Sequence, residues 1–214
     1  MAHYFENDEK LKSDEKKHDV IINGGIYHFI TDNGVFSKKG LDFGTRSLLE
    51  AIKLDEITGK VLDFGCGYGP IGIYIAQNTN AEVHMIDINR RSLELARKNV
   101  DLNHVNVHLY ESDIYSNVNT KFNHIISNPP IRVGKKILYE ILFKAKDFLF
   151  DNGKLWIVVN KDQGAKSIVR DLEKEYKVQI IDKNKGFYII CAIKYWHTCK
   201  YCDKILNWWH ILIL

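Results

Sequence analysis

Residues 63–70 read Asp63-Phe64-Gly65-Cys66-Gly67-Tyr68-Gly69-Pro70, an acid followed by three glycines at alternate positions. An apolar run, Val61-Leu62-Asp63-Phe64, leads into this cluster and an apolar helical pattern from Ile71 to Gln77 leaves it. Glycine lets a backbone turn tightly and approach a ligand with no Cβ in the way. A helix start beyond the turn supplies free N–H groups. Asp63, Gly65, Gly67 and Gly69 therefore form a candidate crook for a nucleoside cofactor. The acid ahead of the glycines can hold an ammonium, a group that S-adenosylmethionine carries and dinucleotides lack.

The stretch also satisfies a rival pattern. Gly67-Tyr68-Gly69-Pro70-Ile71-Gly72 fits the dinucleotide fingerprint, with Asp87 near the acid expected ~20 residues downstream on a ribose hydroxyl. Both readings place a nucleoside in the same crevice, with Asp87 on the ribose and Ile88 beside it. On this stretch alone the choice stays open.

Asn128-Pro129-Pro130-Ile131 decides it in favour of the methyl donor. The triplet follows an apolar strand, Phe122 to Ser127, on the edge where open α/β sheets bind ligands. The Asn128 side chain offers an acceptor oxygen, and the carbonyl of Pro129 a second. Two acceptors side by side suit one –NH₂ group, and proline fixes the backbone that aims them. Asn128, Pro129, Pro130 and Ile131 are the candidate catalytic residues, and Asn128 is also a candidate contact of the cofactor.

The elements that must position these groups follow a strand, turn, helix rhythm. Before it, His18–Asn23 and Ile26–Thr31 alternate around Asn23-Gly24, a hairpin signal. Thr45 is the expected cap of a helix over Arg46 to Leu54. Strands are expected at Val61–Phe64, Glu82–Ile86, Val105–Leu109, Phe122–Ser127 and Leu155–Val159, the last entered through Asn152-Gly153. Helices are expected over Ile71–Gln77, from Ser92 through Leu93 to Asn99, over Ile137–Leu149 and over Lys166–Glu175. Alternation of this kind implies a parallel sheet covered on both faces. Two closing strands, Lys177–Ile181 and Phe187–Ile193, are joined too tightly for a crossover helix and must pair antiparallel. Asp113, closing the third strand with Ile114 beside it, resembles the acid that meets the cofactor's adenine amino group in class I methyltransferases.

The segment Asp32-Asn33-Gly34-Val35-Phe36-Ser37-Lys38-Lys39-Gly40-Leu41-Asp42-Phe43-Gly44-Thr45-Arg46 resembles the lead-in to the core of RsmC-like small-subunit ribosomal RNA guanine-N2 methyltransferases. Asn128-Pro129-Pro130-Ile131-Arg132-Val133-Gly134-Lys135 is similar to the same group, and the resemblance covers roughly residues 3 to 194. It implies a class I, Rossmann-like α/β fold with a seven-stranded, mostly parallel sheet, an antiparallel last strand and an N-terminal β-hairpin. It also implies S-adenosylmethionine as donor and a guanine amine of ribosomal RNA, free or in the small subunit, as acceptor. Where an aromatic residue of the family can stack on the base, Ile131 cannot, so Phe36 is the candidate to flank it. Lys38, Arg132, Lys135 and Lys136, with Lys39, are candidates for RNA phosphates. Methylation of adenine N6 or of a protein glutamine uses the same amine grip. A nicotinamide oxidoreductase and a non-catalytic RNA-binding module are the alternatives from other classes.

Composition sets bounds. The chain has 214 residues and a net charge of +3, enough length for one domain with a proper core and a balance that permits a nucleic-acid partner without requiring one. The expected division is an arm, hairpin and substrate-side loop (1–44), a core (45–194) and an atypical tail (195–214). Absence of a cleavable leader or a ~20-residue apolar span points to a cytoplasmic protein that does not cross a membrane. Cys66 and Cys191 read as small core residues. In the tail, Cys199-Lys200-Tyr201-Cys202 has metal-ligand spacing with His197 and His210 nearby, yet one cysteine pair is weak evidence. No metal is expected, and the tail reads as a docked flap or an extension foreign to the family, such as a shifted reading frame.

Overall fold

A computed structural model of the chain describes residues 12–37 and 40–195. Lys38, Lys39, the first residues of the N-terminal arm and the tail with Cys199 and Cys202 lie outside the described residues, as does the side chain of Arg132. Two strands, β1 (Lys16–Ile22) and β2 (Gly25–Thr31), pair antiparallel across Asn23 and Gly24, whose φ angles are +47° and +83°. Two positive φ values at a two-residue turn match the twist of the strands it joins. Helix α1 (Phe43–Ala51) follows. Its cap is Asp42, not Thr45, because one carboxylate oxygen of Asp42 accepts from both Gly44 N–H and Thr45 N–H. The helix therefore starts three residues before Arg46.

From there the chain runs β3 (Lys60–Phe64), α2 (Pro70–Asn78), β4 (Glu82–Asp87), α3 (Arg90–Leu102), β5 (His108–Glu111) and β6 (Phe122–Ser127). It continues through α4 (Lys135–Lys144), β7 (Leu149–Asn160), α5 (Ala165–Leu172), β8 (Tyr176–Asn184) and β9 (Phe187–Lys194). Strands β3 to β9 form one sheet in the order β5-β4-β3-β6-β7-β9-β8, in which only β9 runs antiparallel. Alternate residues of β3 feed two cores. Val61 packs with α1, α2 and α3 on one face, and Leu62 with α4 and α5 on the other.

Two expected strands begin elsewhere. β5 starts at His108 because Val105 N–H turns back to the carbonyl of Val100 and closes α3. β7 starts at Leu149 and absorbs Asn152-Gly153 as an irregularity, with the pairing to β6 slipping between Phe122 and His124. The segment after Lys144 is a short 3-10 turn, Ala145–Phe148, so α4 ends earlier than its apolar pattern.

The hairpin is held to the core through side-chain amides. On α3, Asn99 accepts from Ile30 N–H at 2.6 Å and donates to Ile30 O at 2.9 Å; Asn103 does the same with His28 at 3.0 and 2.6 Å. Two amides one helical turn apart thus stand in for a neighbouring strand and satisfy an edge that would otherwise be open. Asn99 also donates to Tyr68 O at 2.8 Å, tying the hairpin to the glycine turn.

Sheet order reverses between β3 and β6, with β4 and β5 on one side and β7 on the other. Open α/β sheets bind ligands at the carboxyl ends of such strands. Asp63, Asp87, Asp113 and Asn128 all lie at or just past those ends. No described helix is long and apolar enough to cross a membrane.

Candidate active site

A cavity of about 600 Å³ opens over the carboxyl ends of β3, β4 and β6. Its floor is the glycine turn. Gly65, Gly67 and Gly69 have φ of +69°, +58° and +99°, a region L side chains rarely adopt. A Cβ on Gly65 would meet nothing within 4 Å, so its absence widens the cavity, whereas one on Gly69 would strike Met85 and Ile73 at 2.9 and 3.1 Å. The turn needs glycine for shape at both positions, and at the second also for packing. Gly65 and Gly67 line the cavity; Gly69 caps α2 behind it.

Asp63 stands one layer behind the cavity wall. Its carboxyl is wholly buried: Oδ2 accepts from Gly72 N–H at 2.8 Å, and Oδ1 has no hydrogen-bond partner among the described residues. Burial pushes this acid up to about 8; the Gly72 N–H opposes that shift, and the neighbouring Asp87 adds to it. An orphaned acceptor beneath a glycine crook fits a cationic ligand group above it. Cys66, on the same turn, is buried, and burial pushes its thiol well above the usual range, so it is a packing residue as Cys191 is.

Asp87 lines the cavity from the end of β4. Its Oδ2 accepts from Gly67 N–H at 2.8 Å and its Oδ1 from Asn89 N–H at 2.9 Å, so it holds the turn as well as facing the cavity. Burial raises its pKa, while these backbone bonds oppose the shift. Ile88, Asp113 and Ile114 complete this end. Asp113 is exposed, and Ile114 has φ +52°, a strained value for a β-branched residue. Strain of this kind gathers where a ligand surface is built.

At the other end stands Asn128, immediately after β6. Its Nδ2 donates to Thr45 Oγ1 at 3.0 Å and faces Asp42 Oδ1 at 3.3 Å and Oδ2 at 3.5 Å. No donor among the described residues reaches Asn128 Oδ1. Pro129, Pro130 and Ile131 line the same cavity wall, and Ser127 Oγ pins the strand end to Phe64 O at 2.8 Å. Asp42 and Thr45 are members of the site that the residue pattern alone did not single out. Asp42 precedes an apolar helical run as a cap would, which explains its place on α1 but not its pairing with Asn128.

The mouth is apolar and aromatic. Phe36 is half-exposed and lines the cavity, as do Ile131 and Phe187, whose ring lies 5.6 Å from that of Phe43. Phe187 was not expected here; β9 brings it in from the far end of the chain. Lys135 and Lys136, at the start of α4, are exposed and do not line the cavity, and Lys135 lies over the ring of Tyr139. Among the described residues one group has ligand-like spacing for a metal, Glu82, His84 and His108, but it sits at the start of β4, at the other end of the strand from the cavity, where Lys60 already pairs with Glu82.

This geometry agrees with what the chain is similar to. The Methyltransferase small domain family matches residues 26–191. The chain belongs to that family. With it come the class I fold and S-adenosylmethionine as methyl donor, and the nicotinamide reading of the glycine turn is set aside. Protein YbxB of Bacillus subtilis, itself uncharacterized, is 42% identical over 197 residues, spanning 90% of this chain and 98% of that protein. Ribosomal RNA small subunit methyltransferase C of Haemophilus influenzae is 40% identical over 167 residues, 76% of this chain and 49% of that one. The chain therefore spans about half the length of that relative. In three dimensions it superimposes on the 16S rRNA N2 G1207 methyltransferase of T. thermophilus, solved with AdoMet and guanosine, with a TM-score of 0.75 at 25% identity, over 84% of this chain and 50% of that one.

Proposed function

We propose that the chain transfers the methyl group of S-adenosylmethionine to the exocyclic N2 of a guanine in small-subunit ribosomal RNA. The observation that carries the reading is the Asn128 amide: its NH₂ end is taken by Thr45 and Asp42, which leaves its oxygen as an unclaimed acceptor on the cavity wall. The Pro129 carbonyl is the second acceptor. The relatives that carry a substrate in their names, ribosomal RNA small subunit methyltransferase C and the T. thermophilus enzyme, support the choice of guanine and of RNA.

The donor supplies a sulfonium-activated methyl, so the work left to the protein is alignment. Gly65 and Gly67 allow the cofactor close approach, and the buried, unpartnered oxygen of Asp63 behind them favours its ammonium on that side. Asp87 grips the ribose, Asp113 the adenine amino group, and Ile88 and Ile114 flank the ring. A base amine is a poor nucleophile because its lone pair is delocalised. Asn128 Oδ1 and Pro129 O accept its two N–H bonds and stabilise the positive charge that grows on nitrogen. Phe36 and Ile131 flank the base, and Lys38, Arg132, Lys135 and Lys136 meet phosphates. A paired guanine must first be extruded, at a cost of a few kcal/mol.

Mass-spectrometric mapping of ribosomal RNA from cells with and without the gene tests this reading. One N2-methylguanine of the small subunit is expected to vanish and to return when purified protein and cofactor are added. Loss of N6-methyladenine instead, or of a methylated glutamine in protein, overturns it.

A further inference from the structure

We propose that Asp42 is a positioning residue of the transfer site, acting with Thr45 to lock the Asn128 amide so that its oxygen, and not its NH₂, faces the substrate amine; this rests on the role proposed for Asn128 above. A primary amide has two ends of nearly equal size. Turning it by half a rotation would present a donor to a substrate NH₂, and attraction would become repulsion. Proline neighbours fix the backbone but not this rotation.

The groups at the inner end of Asn128 decide it. Asp42, when ionised, can only accept. Thr45 has one hydroxyl proton, and Thr45 Oγ1 gives it to Asp42 Oδ2 at 2.6 Å, so toward Asn128 at 3.0 Å it offers lone pairs alone. Both neighbours are thus acceptors, and only NH₂ satisfies them. A turned amide would set Asn128 Oδ1 against carboxylate oxygens 3.3 and 3.5 Å away.

Asp42 is in turn held by the backbone. As the cap of α1 its Oδ1 accepts from Gly44 N–H at 3.0 Å and Thr45 N–H at 3.1 Å, so the helix start aims the carboxylate. Gly44 permits that approach: a Cβ there would meet the Phe187 ring at 2.9 Å and Asp42 Oδ1 at 3.2 Å. Five positions in three distant stretches of sequence, Asp42, Gly44, Thr45, Asn128 and Phe187, therefore converge on one torsion angle.

Two variants separate positioning from helix capping. Asp42→Ser keeps an N-cap oxygen for Gly44 and Thr45 but removes the second oxygen and the charge. Thr45→Val keeps shape and removes the hydroxyl. With small-subunit RNA as acceptor, each is expected to lower kcat roughly 10- to 100-fold, with calorimetric affinity for S-adenosylmethionine unchanged. Each is also expected to cause no further loss when combined with Asn128→Ala. Wild-type turnover in both variants, or losses that multiply in full with that of Asn128→Ala, overturns the role of Asp42. If Asn128→Ala alone turns over normally, the reading of the transfer site fails first.

Discussion

Asp87 Oδ2 accepts the Gly67 N–H at 2.8 Å across twenty residues of sequence, so the acid that closes β4 also fixes the bend of the turn after β3. The same carboxyl accepts from Asn89 N–H and lines the cavity. Removing it in Asp87→Ala leaves two buried backbone donors without their acceptor, which costs about 2–4 kcal/mol. Urea unfolding should show that loss, and calorimetry should show S-adenosylmethionine binding weakened at least about ten-fold. Stability lost with affinity intact would confine Asp87 to the turn and take it off the ribose.

Tyr68 offers a second, opposite-signed test. It lines the cavity, is 3% exposed, and its hydroxyl has no partner among the described residues. Burial, then the charge of Asp42, raises its pKa, so it stays a neutral donor. Tyr68→Phe should stabilise the cofactor-free protein by about 1 kcal/mol, since an unsatisfied buried group is removed. If the hydroxyl serves the bound cofactor, the gain in melting temperature on adding S-adenosylmethionine should shrink in the variant. An undiminished gain would assign the hydroxyl no ligand.

His124 predicts the acid limb of stability. It is buried at 4% exposure and accepts from Trp156 Nε1–H at 3.3 Å. Burial first, and then the charge of Lys154, pushes it down to about 4 from the usual 6.5. Between those values the unfolded chain binds the proton and the folded one resists it. The stability that His124 contributes should therefore fall by about 3 kcal/mol as pH drops from 6.5 to 4, while the raised Asp63 carboxyl adds stability over the same window, so the His124 part is read by comparison with a variant that lacks it. His124→Gln, which can still accept from Trp156 without titrating, lacks this component, so its stability relative to the wild type should rise by that amount as pH falls through the window. An unchanged profile would contradict the burial argument.

What the sequence discloses here is what its short range encodes. The glycine turn, the acids closing β3 and β4, and the Asn-Pro-Pro stretch after β6 are each local patterns, and the strand-turn-helix rhythm brings them to one sheet edge. Asp42 could not be read that way, because its partner Asn128 is 86 residues distant and meets it only once α1 packs against β7 and β9. Phe187 is hidden for the same reason. Asp63 shows the limit within a motif: the pattern identifies an acid at the ligand, and packing sets it beneath the turn, bonded to Gly72. Thr45 has a residue type that caps helices, but Asp42 lies three positions earlier with a carboxylate able to hold two N–H groups at once. The hairpin was legible from Asn23-Gly24, while its attachment through Asn99 and Asn103 depends on amides that a helical pattern counts merely as polar.

The most direct test is single-turnover methyl transfer by Asn128→Ala on small-subunit ribosomal RNA, with S-adenosylmethionine affinity measured on the same preparation. A rate at least about 100-fold lower is expected, with cofactor affinity changed less than about three-fold. Transfer at the wild-type rate would contradict the role proposed for Asn128.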